Sequence, residues 1–181
     1  SSTIVSPFGP VRRVLTSHDP SDTDGSNVKI HDDQVSLAPV LDGNAFITTL
    51  FSHYDLPTTS THSLDNQAIQ AAVDAAPNVV MPGGVNGKVT DVQPNYYIAM
   101  HRTNSVDYNI MVKGQATLIT PKSGGGDGLE RTVVKAGEVV IQRGTLHAWE
   151  SGPEGARWIT VVVPALPIEK DGNVFGEVDF K

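Results

Sequence analysis

The chain has 181 residues, the length of one domain built around one core. Hydrophobic residues make up 39% and charged residues 18%, with 17 glycines and 12 prolines, which excludes a disordered chain, a coiled coil and a helical bundle. Thirteen Lys and Arg face 20 Asp and Glu, a formal charge of -7, and no basic run exceeds Arg12-Arg13, which argues against nucleic-acid and anionic-membrane partners.

In chain order, Ser1 to Arg13 lacks the basic-then-apolar order of a secretory signal, and no apolar run reaches the roughly 20 residues of a membrane span. A cytoplasmic protein is therefore expected. Residues 1–44 alternate short apolar stretches (Arg12 to Leu15, Val28 to Ile30, Val35 to Leu41) with Asp, Ser, Pro and Gly clusters, the pattern of an arm of short strands and turns. Ala45 to Phe51 reads as a strand. From Ser63, a candidate cap, to Pro77, a stop, Leu64, Ala68, Ile69, Ala72, Val73 and Ala76 recur at helical spacing and predict one helix.

Strand patterns then follow closely: Lys88 to Val92, Tyr96 to His101, Asp107 to Lys113, Gln115 to Thr120, Glu130 to Lys135, Glu138 to Gln142 and Arg157 to Val163. Ser123 to Gly128 has glycines suited to a hairpin tip. No helix pattern follows it and no Gly-Lys-Ser/Thr ends it, so it is not a phosphate loop. Many short strands predict an all-β sandwich or barrel over 45–163, with 164–181 as a polar terminal extension. A serine hydrolase is excluded by the lack of Gly-x-Ser-x-Gly, and a dinucleotide fold by the lack of β-α-β alternation.

Cysteine is absent, which removes disulfides, thiolate ligands and a cysteine nucleophile and leaves His, Asp, Glu, Gln or water to hold any metal. Of the six histidines, His101 and His147 end strand-like runs, whereas His18, His31, His53 and His62 lie in turn-rich stretches. The two informative segments are His101-Arg102-Thr103-Asn104-Ser105-Val106-Asp107-Tyr108 up to Gly114, and Gly137 to Trp149, which contains Val140-Ile141-Gln142-Arg143-Gly144-Thr145-Leu146-His147-Ala148-Trp149.

These segments resemble the two motifs of the cupin superfamily, specifically small single-domain cupins with an HRTxSxDY and a VQRGTxHAW segment. In that resemblance His101 takes the first histidine, Thr103 the second, Asp107 the glutamate, Gly114 the closing glycine and His147 the histidine of the second motif. The departures are Thr103 for histidine, the shorter Asp107 for glutamate, and Gln142 where proline is usual. The resemblance implies a double-stranded β-helix, or jelly-roll barrel, with the 1–44 arm packing on the barrel or on the partner of a homodimer. Tailoring chemistry of secondary metabolism is a further implication.

The residues left in the site, His101, Asp107 and His147, are two imidazoles and one carboxylate, the composition of a facial triad for a divalent ion. Fe(II) is the favoured occupant, and Zn, Mn, Co and Ni have compatible ligand chemistry. The competing reading is a hydrogen-bonded polar cluster without metal.

Strand alternation turns Tyr97 and Thr103 to the same side as His101, and Asn109 and Met111 to the side of Asp107, with Gln142 one strand away. These five residues and Trp149 are candidate pocket walls. Arg102 and Arg143, the cations nearest the motifs, and Tyr108 are candidates for positioning a small-molecule substrate. The expected function is a metal-dependent oxygenase acting on a small enol, phenol or carboxylate. The alternatives are a non-redox lyase or isomerase acting on an enolisable carbonyl compound, and a binding module without chemistry.

Overall fold

The computed structural model describes residues 5–58, 65–76, 78–123 and 127–180. Ahead of the main sheet, β1 (Val11–His18) and β2 (Val28–Val35) form an antiparallel hairpin. A short strand, β3 (Ala38–Val40), leads through a one-turn 3-10 helix at Leu41–Gly43 into β4 (Ala45–Tyr54). The apolar run from Val35 to Leu41 is thus broken by a turn, with Leu41 and Asp42 both at positive φ.

Among the described residues the one α-helix, α1, runs Asn66–Asp74. Its cap is Asp65, whose side chain accepts from the Ala68 amide at 2.7 Å. Ser63, the expected cap, and Pro77, the expected stop, lie outside the described residues. The helix buries Ile69 and packs on β4. Among the described residues no helix is long and apolar enough to cross a membrane.

The rest of the sheet comprises β5 (Gly84–Val92), β6 (Tyr97–His101), β7 (Ser105–Pro121), β8 (Leu129–Lys135), β9 (Val139–Arg143) and β10 (His147–Pro164). The order is β3-β4-β5-β10-β7-β8, with β6 on β10 and β9 on β7. Two long strands make its spine. The first half of β10 pairs β6 on one side and the second half of β7 on the other; its second half pairs β5 and the first half of β7. β7 likewise passes from β9 to β8.

Where the long strands cross over, residues 152–155 of β10 drop out of register and Gly114 and Gly155 both have positive φ. The two expected strands on either side of Gly114 are therefore one bent strand. The spine passes from one half of the sheet into the other at this bend, and the two halves face each other across a core. Trp149 and Trp158 stack there with ring centroids 5.5 Å apart, among Ala45, Val92, Ile98, Met111 and Val134.

The outer side of the β5–β10 pair is covered by the N-terminal segment. Asp91 and Arg157 face each other across the ladder as a buried ion pair at 2.6 Å. Ser6 donates to Asp91, Arg157 donates to the Gly9 carbonyl, and Phe8 lies under the guanidinium. Arg157→Met leaves a buried carboxylate unpaired and is expected to lower unfolding free energy by about 3–5 kcal/mol, read from urea denaturation. The double variant Asp91→Leu, Arg157→Met should recover part of that loss.

Candidate functional site

A cavity of about 120 Å³ lies between the facing halves of the sheet. Its apolar wall includes Val40 and Leu41 from the N-terminal region, Ile98 of β6, Trp149, Trp158 and Val162 of β10, and Phe180 from the C-terminal tail. Its polar wall is His101 of β6, Asp107 and Asn109 of β7, Gln142 of β9, His147 and Thr160 of β10, and Lys88 and Thr90 of β5.

The two imidazoles face each other, with ring centroids 4.0 Å apart and planes inclined by 57°. Each ring places Nδ1 on the carbonyl oxygen two residues earlier: His101 on Ala99 at 2.7 Å and His147 on Thr145 at 2.9 Å. A carbonyl only accepts, so Nδ1 carries the proton in both rings and Nε2 keeps the lone pair. Burial pushes both rings below the usual imidazole range. His147 is lowered to about 3, with the neighbouring His101 adding to the effect.

His147 also touches the Gln142 amide, which starts a buried chain of side chains. Gln142 lies 3.3 Å from the Asn109 amide, and Thr160 lies 2.7 Å from Asn109. Amide groups have both donor and acceptor ends, so this chain satisfies polar groups that would be costly if buried alone. Asp107 is different: its Oδ1 is buried without a hydrogen-bond partner. Burial raises its pKa, against the opposing effect of a hydrogen bond to Ser105.

The two Nε2 lone pairs and the orphaned carboxylate oxygen are suitable donors for a divalent ion. Among the described residues, however, no three His, Asp or Glu side chains come close enough to hold one. His101, Asp107 and His147 therefore share the cavity without forming the expected ligand set.

Of the other expected wall residues, Asn109, Gln142 and Trp149 line the cavity. Met111 is buried in the core behind it, and the Thr103 hydroxyl turns to Ser105 at 2.9 Å. Tyr97 is a correction: it is exposed, and Ile98 takes the inward place. The cause is a bulge, since His147 pairs with His101 but Trp149 with Ile98, so three residues of β6 oppose two of β10 and the alternation shifts.

The candidate positioning residues are also corrected. Tyr108 and Arg143 are exposed on outward positions of β7 and β9. Arg102 reaches away from the cavity to the Gly176 carbonyl and the Phe175 ring. The cation in the cavity wall is Lys88, which donates to Thr49 Oγ1 and the Ala76 carbonyl, both at 2.9 Å, and whose pKa burial lowers. Sequence reasoning missed Lys88 and Phe180; for Lys88 the signal was its place among alternating residues of a strand, while Phe180 had none.

The pH dependence of stability follows from His147. An unfolded imidazole takes a proton near 6.5, and the native ring only near 3, so between those values the unfolded state holds more protons and stability falls as pH falls. The thermal midpoint should drop between pH 7 and pH 4, and His147→Gln should flatten that drop. An equal drop in the variant would exclude His147 as its source.

No protein-family model matches the chain. It is 31% identical over 168 residues to "Phomopsin biosynthesis cluster protein D" of Diaporthe leptostromiformis, covering 92% of this chain and 85% of that protein. It is 26% identical over 172 residues to "Oryzines biosynthesis cluster protein J" of Aspergillus oryzae, covering 94% and 92% respectively. The "Cupin-domain-containing oxidoreductase virC" of Hypocrea virens matches at 26% over 140 residues, 75% of this chain and 65% of that protein. With both motif segments on the strands that face the cavity, the chain belongs to the cupin family of these fungal biosynthesis-cluster proteins.

Proposed function

We propose that this chain is a cupin enzyme of secondary metabolism that moves a proton on a small enolisable carbonyl compound. The observation that carries this reading is the pair of neutral imidazoles 4.0 Å apart, each with its Nδ1 proton committed to a backbone carbonyl. An imidazole whose Nδ1 proton is committed to a carbonyl keeps a lone pair at Nε2 that can take a proton.

In this reading His147, the more deeply buried ring and the one braced by Gln142, takes a proton from the carbon beside the carbonyl. Asp107, whose buried Oδ1 has no hydrogen-bond partner, stands on the same cavity wall as a second polar group for the substrate. Trp149, Trp158 and Phe180 exclude water and hold the apolar part of the substrate. Isomerisation, dehydration and decarboxylation all pass through such an enol or enolate, so the geometry supports the class rather than one member.

A second reading, a metal-dependent oxygenase with Fe(II) favoured, is supported by the word oxidoreductase in the names of several relatives. It requires Asp107 to close with both imidazoles on one ion. The experiment is deuterium exchange beside the carbonyl of 2-indanone in D2O, under anaerobic conditions with chelator-treated protein. The expected result is catalysed exchange that falls by about 10²-fold or more in His147→Ala. Absence of catalysed exchange in chelated protein overturns the proposal, and oxygen uptake that appears on Fe(II) loading and is lost in Asp107→Ala establishes the second reading in its place.

A further inference from the structure

The C-terminal tail has two properties that do not belong together in a merely structural extension. Residues 165–179 are all exposed. They include a small hairpin, β11 (Ile168–Lys170) and β12 (Asn173–Phe175), which pairs only with itself. A hollow of about 440 Å³ lies between this hairpin and the barrel, lined by Ile168 and Phe175 on one side and Thr120, Thr145 and Leu146 on the other. An element with so little buried surface has low local stability and opens far more readily than the sheet beneath it.

Yet the same tail completes the reactive cavity. Phe180 lines it and meets the His101 ring edge-on, with centroids 5.2 Å apart and planes at 73°. The attachment is concentrated at one place. Arg102 and Val178 exchange two backbone hydrogen bonds, both 2.9 Å. The Arg102 side chain donates to the Gly176 carbonyl at 3.2 Å and lies over the Phe175 ring. The Asn104 amide donates to Glu177 at 3.2 Å, and the Ala165 amide to the Asn104 carbonyl at 2.9 Å.

We propose that residues 165–180 are a lid over the cavity, with Phe180 as the substrate-contacting wall that helps decide which molecules reach the imidazoles and with Arg102 as the latch that seats it. This rests on the reading of the cavity as the reactive site, but its test does not depend on any activity. Arg102 touches neither imidazole, so its side chain acts on the cavity only by holding the tail. An aromatic wall at the entrance selects a flat, largely apolar substrate and shuts out bulk water once seated.

The chain has two tryptophans, and both line this cavity, so acrylamide quenching of their fluorescence reports how often the lid is open. Quenching constants should rise by about twofold or more in Phe180→Ala and in Arg102→Ala, with the thermal midpoint of Arg102→Ala little changed. Hydrogen exchange at the amide of Val178 should accelerate in Arg102→Ala while that of the β7–β10 spine stays slow. Arg102→Lys, which keeps the charge but loses the planar fork, should fall between wild type and alanine. Quenching in Arg102→Ala equal to wild type overturns the latch, and equal quenching in Phe180→Ala overturns the lid. Activity lost with quenching as expected would instead count against the proposed reaction alone.

Discussion

The structure depends on two strands that belong to both halves of one sheet. β7 and β10 can make that passage because Gly114 and Gly155 occupy the bend. Gly114 has φ +66, and a Cβ there would overlap the Gly155 carbonyl oxygen; at Gly155, with φ +81, a Cβ would press on the Val92 carbonyl. Any side chain meets backbone, which cannot rotate out of the way as a flexible side chain can. The bend places His147, near the start of β10, and Thr160, near its end, on walls that face the same cavity. The chemistry of the site is thus a consequence of a crossing that only glycine permits.

A cavity between two apolar sheet faces is a costly place for polar groups, and the way each one is treated separates its role. Thr160, Asn109 and Gln142 form a buried chain that ends on the His147 ring. The Thr145 carbonyl can only accept, so Nδ1 holds the proton, and the chain is self-consistent when the Gln142 oxygen faces the ring. A half-turn of an amide keeps its shape, and so the ring decides the polarity of the whole chain. Lys88 is satisfied by Thr49 and Ala76. Among the described cavity-wall residues, Asp107 is the one with a fully buried oxygen that lacks a partner, which is the expected signature of a group kept for what enters the cavity.

The same physics explains what the sequence disclosed. Along the first half of β7 the alternation holds up to Val112: Asp107, Asn109 and Met111 are buried while Tyr108, Ile110 and Val112 are exposed, so reading every second residue was sufficient there. Along β6 the rule fails after two residues, because a bulge adds one residue against β10 and no residue type there announces it. Gly114 was legible as a motif position, but its bend depends on Gly155, 41 residues later in sequence and only adjacent in space. Asp65 is an equally good cap two residues after Ser63, and local patterns do not place a helix start more finely than that. The tail reads as polar and unpaired because its partners, Arg102 and Asn104, lie far back in the chain.

The two imidazoles differ in how firmly they are held, and this asymmetry follows from the elements that carry them. His147 opens the central strand of the sheet, with β6 and β7 on its two sides and the Gln142 chain against its ring. His101 closes a five-residue strand that has β10 on one side only, and the next residue, Arg102, is bridged to Val178 of the tail. One ring of the pair therefore stands on the rigid spine and the other on a bulged edge whose outer neighbour is a weakly held segment. His147 is packed against Gln142 and His101 against Phe180 of the tail. A site divided in this way couples entry to geometry: the segment that must move to admit a molecule is the one that braces one of the two groups waiting for it.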